Sequence, residues 1–297
     1  MLPQILSIVQ FYFTLVNTIP VGTKIDNVFI AVKTSAKFHK SRLEPVLKTW
    51  YRTAPPATYF FTDALDPEFE LRVAESRPQN GVRNAVIQTN CPSDHSRTAL
   101  SCKMEAELTM YLESGKSWFC HLDDDNYLNT PALLNMLSRY PDSKEWYLGK
   151  VSIPQKLEML DRMKLPERKT AKFWFATGGA GFCISRPLAE KMQPHVVNGK
   201  FQKLADIIRL PDDVSLGYLI EVLLSGKLVQ VPEFHSHLEP LRLIKSLTDQ
   251  ITFSYSTYED TNEMNVVEFD DDINVINDED ETRFYKIHCK LFGQCQF

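Results

Sequence analysis

No run of basic residues longer than a pair occurs in this chain of 297 residues, and its formal net charge is −5. Duplex nucleic acid is excluded as a partner, because holding phosphates needs a clustered positive footprint. No apolar stretch reaches the roughly 20 residues of a comfortable membrane span. The six cysteines contain no Cys-x-x-Cys pair, which disfavours zinc ribbons and thioredoxin-like chemistry. No Asn-x-Ser/Thr acceptor is present, so no N-glycosylation site marks the chain. Glycine is scarce, at 11 residues, so any place where several gather needs a backbone reason.

What is present suits a globular protein. At 43% hydrophobic and 24% charged residues, there is ample material for a core in one large domain or two small ones. The apolar run from Ile5 to Val16 has the length of a secretory h-region, so residues 1–27 read as a hydrophobic signal or anchor segment with a short linker. That run lacks a basic flank and a small-x-small cleavage site, and a buried N-terminal helix is the alternative. The cysteine count is even. Cys91 with Cys102, and Cys289 with Cys295 in "CKLFGQC", each suit a local disulfide loop, with buried free thiols as the alternative.

Along the chain, β-branched and aromatic runs alternate with helical spacing. "NVFIAVKT", "ATYFFTD", "NAVIQT", "KSWFCHL", "EWYLGKVS", "GAGFCIS" and "KLVQVP" read as strands. A helix is expected in "FHKSRLEPVLKTWY". Another in "RTALSCKMEAELTMYLESG" carries Leu100, Met104, Leu108, Tyr111 and Leu112 on one face and ends at Gly115. "TPALLNMLSRY" should open with Thr130 as N-cap and Pro131 as first helical residue, and a further helix should run from about Asp212 to Gly226. "ELRVAESRPQNGVRN" reads as an irregular connection. The alternation predicts an α/β domain over residues 28–297 with a mostly parallel, twisted sheet flanked by helices, whose ligands bind beyond the carboxyl ends of the strands.

Four constellations bear on chemistry. In "FCHLDDDNYL", Asp123, Asp124 and Asp125 follow a buried strand, where adjacent carboxylates repel and resist desolvation unless a cation is near. Asp-x-Asp there suits a hard divalent ion bridging to a diphosphate; a solvated turn is the plain alternative. The second triplet, Asp270 to Asp272, precedes Asp278, Glu279, Asp280 and Glu281, and reads as a solvated acidic loop around residues 259–281; the alternative, a calcium site, lacks the glycine and ligand spacing of a calcium-binding loop. "FATGGAGFC" places Gly178, Gly179 and Gly181 within four residues, for a tight turn or a close approach to a nucleotide or sugar. In "LPDDVSLGY" the carboxylates either cap a helix or leave one free as a base, and "FHSHLE" sets two imidazoles on one face of an extended chain.

These segments, with "FHKSRL", "TNC", "HSRTALSCKM", "TFSYSTYE" and "IHCKLF", together resemble the Fringe glycosyltransferases in order, across roughly residues 28–295. The resemblance implies the GT-A fold of nucleotide-sugar transferases. It also implies a Golgi-lumenal enzyme, type II membrane-anchored or secreted, touching membrane only through an N-terminal anchor. The implied reaction moves GlcNAc from UDP-GlcNAc in β-1,3 linkage onto O-linked fucose of EGF repeats in Notch and its ligands, with Mn2+ as cofactor. Residue by residue, it implies Asp125 and His237 as metal ligands, Asp213 as catalytic base, and Arg42, Asp124 and Asp123 on the donor side. It further implies disulfides Cys91–Cys102, Cys120–Cys183 and Cys289–Cys295. The competing expectations are a related β-1,3-galactosyl- or glucosyltransferase and an inactive secreted module that binds EGF repeats.

Overall fold

The structure, a computed structural model, describes residues 23–77, 84–165, 167–269 and 280–297. The apolar run Ile5 to Val16, the triplet Asp270 to Asp272, and Asp278 and Glu279 lie outside the described residues.

Eleven strands organise the site: β1 (Val28–Lys33), β2 (Thr58–Thr62), β3 (Val86–Gln88), β4 (Trp118–Asp123), β5 (Tyr127–Leu128), β6 (Tyr147–Gly149), β7 (Leu157–Leu160), β8 (Thr170–Phe173), β9 (Phe182–Ser185), β10 (Leu228–Gln230) and β11 (Thr252–Phe253). Seven of them form one sheet in the order β10-β6-β9-β4-β1-β2-β3. Every pairing in it is parallel except those of β9, which runs antiparallel to β4 and β6. The α/β class and the mostly parallel sheet are as the alternation predicts.

All six residues of β1 are buried, as an unbroken apolar run requires when both faces of a sheet are covered. The period of two splits them. Val28, Ile30 and Val32 pack with Trp50 and Leu133 on one face, while Phe29 and Ala31 pack with Met104, Tyr111 and Phe201 on the other. The flanking helices are α1 (Leu43–Lys48), α2 (Pro67–Glu75), α3 (Arg97–Ser114), α4 (Thr130–Leu137), α5 (Arg186–Val196), α6 (Lys200–Ile208), α7 (Asp212–Tyr218) and α8 (Phe284–Phe292).

Several local expectations are corrected. The first residues of the stretch read as an irregular connection, 70–75, are the last part of α2: Asp66 caps that helix by accepting from Glu68 N and Phe69 N, Pro67 occupies its first position, and Phe69 and Val73 point inward. The cap of α4 is Asn129, which accepts from Ala132 N, so Thr130 is already helical. Beyond Tyr218, α7 gives way to a π-helical turn over Leu219–Leu223 and ends short of Gly226. Gly115 does close α3 in the left-handed region, at φ 72°.

The face of α3 differs too. Leu100 and Leu112 are only half-buried, whereas Lys103, Glu105 and Glu107 are buried with Met104, Leu108 and Tyr111. Each buried charge has work. Glu105 accepts from the N–H groups of Phe201 and Gln202 at 3.1 Å and from Gly199 N, capping α6 from another helix. Lys103 Nζ donates to Thr34 O (2.7 Å), Ser35 Oγ (2.8 Å) and Asp63 Oδ1 (3.1 Å), which pins the loop leaving β1. In the acidic segment Asp280 is buried, not solvated: its carboxylate accepts from Thr282 N and Tyr285 N and so orders the start of α8.

Candidate functional site

Strands β1 and β4 lie side by side, with Lys33 in register opposite Asp123, so both chains leave the sheet at the same edge. The Asp triplet therefore sits at the carboxyl end of the central strands, where such sheets bind ligands. Its three carboxylates have three different surroundings.

Asp123 Oδ1 lies 3.2 Å from Lys33 Nζ and 3.5 Å from His121 Nε2. Burial opposes its charge, but the Lys33 ammonium and His121 outweigh that and hold its carboxyl well below the usual range. Asp124 accepts from Arg42 Nη1 at 2.7 Å and from Thr34 Oγ1 at 2.8 Å. The Arg42 guanidinium also lies 3.9 Å from the Phe38 ring centre, a cation–π contact that holds the side chain in place. Asp125 is the under-compensated member. Arg42 approaches it only to 3.6 Å, and burial together with Asp123 and Asp124 pushes its carboxyl up to about 8.

The glycine turn folds onto this triplet. Asn126 accepts from Asp123 N at 3.1 Å and donates to Gly179 O at 3.0 Å, tying turn to triplet. A side chain at Gly179 would meet His237 at 3.3 Å and Asp123 Oδ2 at 3.9 Å. Gly178 N donates to Asp213 Oδ2 at 3.0 Å. Gly181 takes φ 81°, and a Cβ there would sit 2.9 Å from Leu122 Cδ2 and 3.1 Å from His121 O. Gly181→Ala is therefore expected to destabilise the fold by about 1–3 kcal/mol through backbone strain and overpacking, read from the midpoint of urea unfolding.

Neither carboxylate of "LPDD" caps α7 through its side chain. Asp212 instead accepts from Lys33 Nζ at 2.8 Å. Asp213 takes Gly178 N on one oxygen and Val214 N, at 2.7 Å, on the other. Burial and the neighbouring Asp212 push its carboxyl up to about 6, against these hydrogen bonds and Lys33. A carboxylate so placed is an accessible proton acceptor near neutral pH.

The two imidazoles of "FHSHLE" part company. His235 is buried in a structural network, bonded to Gln250 Oε1 at 2.7 Å and lying 3.2 Å from Glu239. His237 faces Gly179, and burial lowers its basicity, so a neutral ring is favoured. Among the described residues no three His, Cys, Asp or Glu side chains are grouped closely enough to hold a cation unaided. Two atoms would fit one: Asp125 Oδ1 and His237 Nδ1 are buried without a hydrogen-bond partner. A carboxylate oxygen suits a hard divalent cation, and a neutral imidazole could join it.

Beneath the triplet lies a buried ion pair that the sequence analysis missed. His121 Nδ1 meets Glu107 Oε2 at 2.6 Å with both side chains fully buried, and Glu107 outweighs burial to push the imidazole up to about 9. The available signal was a histidine inside an otherwise apolar strand, "WFCHL", which needs a polar partner from another element. The three disulfides are Cys91–Cys102, Cys120–Cys183 and Cys289–Cys295, with no free cysteine. Cys120 and Cys183 face each other directly across β4 and β9.

A family model described as Fringe-like matches residues 23–295. The chain belongs to the Fringe family. It is 46% identical to a Fringe glycosyltransferase of Drosophila melanogaster, over 94% of this chain and 65% of that protein. It is 45% identical to the beta-1,3-N-acetylglucosaminyltransferase lunatic fringe of Danio rerio, over 90% of this chain and 68% of that one. The chain thus spans about two thirds of the length of these Fringe relatives. Among solved structures, a glycosyltransferase involved in glycosylation of the major capsid of PBCV-1 aligns at a TM-score of 0.37 with 13% identity, covering 69% of this chain and 81% of that one.

Proposed function

We propose that this Fringe protein is an inverting β-1,3-N-acetylglucosaminyltransferase of the secretory pathway, using UDP-GlcNAc and Mn2+ to extend O-linked fucose on EGF repeats of Notch and its ligands. The observation that carries the reading is the convergence at one sheet edge of a carboxylate triplet with one under-compensated member, a glycine turn and a half-buried carboxylate poised near 6.

Asp213 accepts the proton of the fucose 3-hydroxyl as that oxygen attacks the anomeric carbon; the new C1–O3 bond forms while the C1–O bond to UDP breaks. Such general-base action is worth about 10²–10⁴-fold. The backbone N–H groups of Gly178 and Val214 hold the carboxylate in position to receive the proton. Arg42, Asp124 and Asp123 line the donor side, and Asp125 and His237 would hold the cation. When bound, manganese supplies positive charge that stabilises the departing diphosphate. Three disulfides agree with an oxidising, lumenal compartment. No helix among the described residues is long and apolar enough to cross a membrane.

Purified protein with Mn2+, an O-fucosylated EGF repeat and a panel of UDP-sugars provides the test. Fucose-dependent UDP release with UDP-GlcNAc is the expected result. Release with UDP-galactose or UDP-glucose instead would make it the related transferase, and repeat binding without turnover on any donor would make it a binding module.

The cation ligands are checked by binding alone. Asp125→Ala and His237→Ala are each expected to weaken manganese-dependent UDP binding by about 10–100-fold, since each would remove a donor atom from the cation. Asp271→Ala, in the second triplet, should leave it unchanged. Isothermal calorimetry reads all three, and equal losses at both triplets would dissolve the distinction between them.

A further inference from the structure

One buried cation touches both halves of the site. Lys33, at the end of β1 and 9% exposed, has Asp212 Oδ2 at 2.8 Å on the base side and Asp123 Oδ1 at 3.2 Å on the triplet side. The chain of charges continues from Asp123 to His121 and on to Glu107 of α3. Sheet register alone brings Lys33 beside Asp123. The contact with Asp212 joins residues 179 apart in sequence, so it fixes where α7 docks against the sheet.

We infer that Lys33 is a positioning residue of the transfer reaction: by holding Asp212 it sets both the place and the basicity of the neighbouring Asp213. This rests on the reading of Asp213 as the base. The charged or titratable groups facing Asp213 are Asp212 on its own helix, Lys33 from β1 and the Tyr147 phenol from β6, alongside the N–H donors of Gly178 and Val214. Lys33 favours the ionised form and Asp212 disfavours it, so the two act with opposite sign through a low-dielectric interior. Removing the ammonium leaves Asp212 unscreened beside the base; removing the Asp212 charge leaves the ammonium to stabilise it.

Two variants give opposed expectations. Lys33→Met should move the acid limb of the kcat/KM profile up by about one pH unit, and Asp212→Asn should move it down by a similar amount. Lys33→Arg, which keeps the charge, should leave the limb close to that of the wild type. The Asp213 carboxyl is followed in parallel by 13C NMR titration of the same folded proteins, which needs no turnover. If Lys33→Met does not fold, Asp212→Asn alone carries the test. A wild-type chain without transfer activity would defeat the base reading and leave the NMR comparison intact. Limbs and carboxyl titrations that stay put, or move the same way in both charge-removing variants, would overturn the inference.

Discussion

Asp213→Asn is expected to lower kcat by about 10²-fold or more while leaving manganese-dependent UDP binding within twofold of the wild type. The amide oxygen can still accept one of the two backbone donors, Gly178 N or Val214 N, so the start of α7 keeps a tether to the glycine turn. What the amide cannot do is take a proton from an attacking hydroxyl. The pH dependence follows from the same residue. Burial and Asp212 raise the Asp213 carboxyl to about 6, so the acid is protonated below that pH and ionised above it. Turnover with wild-type protein should therefore rise tenfold per unit on the acid side and level off above about 6, and that limb should vanish in Asp213→Asn. Stability runs the other way: a carboxyl whose folded value lies above its unfolded value favours the fold while protonated and loses that contribution as pH rises through about 6. The amide variant, permanently neutral, should unfold no earlier than the wild type at pH 7.5. Near-normal turnover in a folded variant would remove Asp213 from the role.

The strands were legible because a parallel sheet covered on both faces writes itself as unbroken apolar runs, and β1 and β4 are such runs. The triplet was legible for the complementary reason: three carboxylates at the end of a buried run contradict their surroundings. The start of α2 was also in the text, as Asp66 and Pro67 ahead of Phe69 and Val73, but the Pro and Gly further along obscured it. The supporting charges were not legible. Lys33, Glu107 and Lys103 satisfy their partners across 179, 14 and 69 residues of chain, and no local pattern announces which lysine on a strand end or which glutamate on a helix will be buried. On α3 the misreading has a simple cause. Apolar and charged residues are interleaved around the whole helix, so counting only the apolar ones at helical spacing placed Leu100 and Leu112 inward in place of Glu105 and Glu107. Periodicity predicts a face only when polar residues are unpaired; buried capping and ion pairing override it.

Loss of the Cys120–Cys183 bridge should produce the largest stability change. The two cysteines are 63 residues apart in sequence but occupy facing positions on antiparallel β4 and β9, with Cα atoms 4.1 Å apart. Closing a loop of that length restricts the unfolded chain by about 4 kcal/mol in the chain-entropy model. A Cys120→Ala, Cys183→Ala double variant should therefore lose about that much, plus a smaller cost for the cavity left in a wholly buried position. The bridge also has a local consequence. Cys120 lies three residues before Asp123, and Cys183 lies two residues after Gly181, so the covalent link spans the bases of the triplet and of the glycine turn. Untying it leaves the backbone ladder of β4 and β9, in register from Trp118 opposite Ser185 to His121 opposite Phe182, and the Asn126–Gly179 hydrogen bond, worth about 1 kcal/mol, to hold them together. Urea unfolding of the double variant should show a lower midpoint with UDP binding weakened in the folded state. The Cys289→Ala, Cys295→Ala pair, closing a six-residue separation at the C-terminal end, should lose less stability and leave UDP binding intact. Equal effects from the two pairs would mean that the central bridge supports the fold alone and has no particular hold on the site.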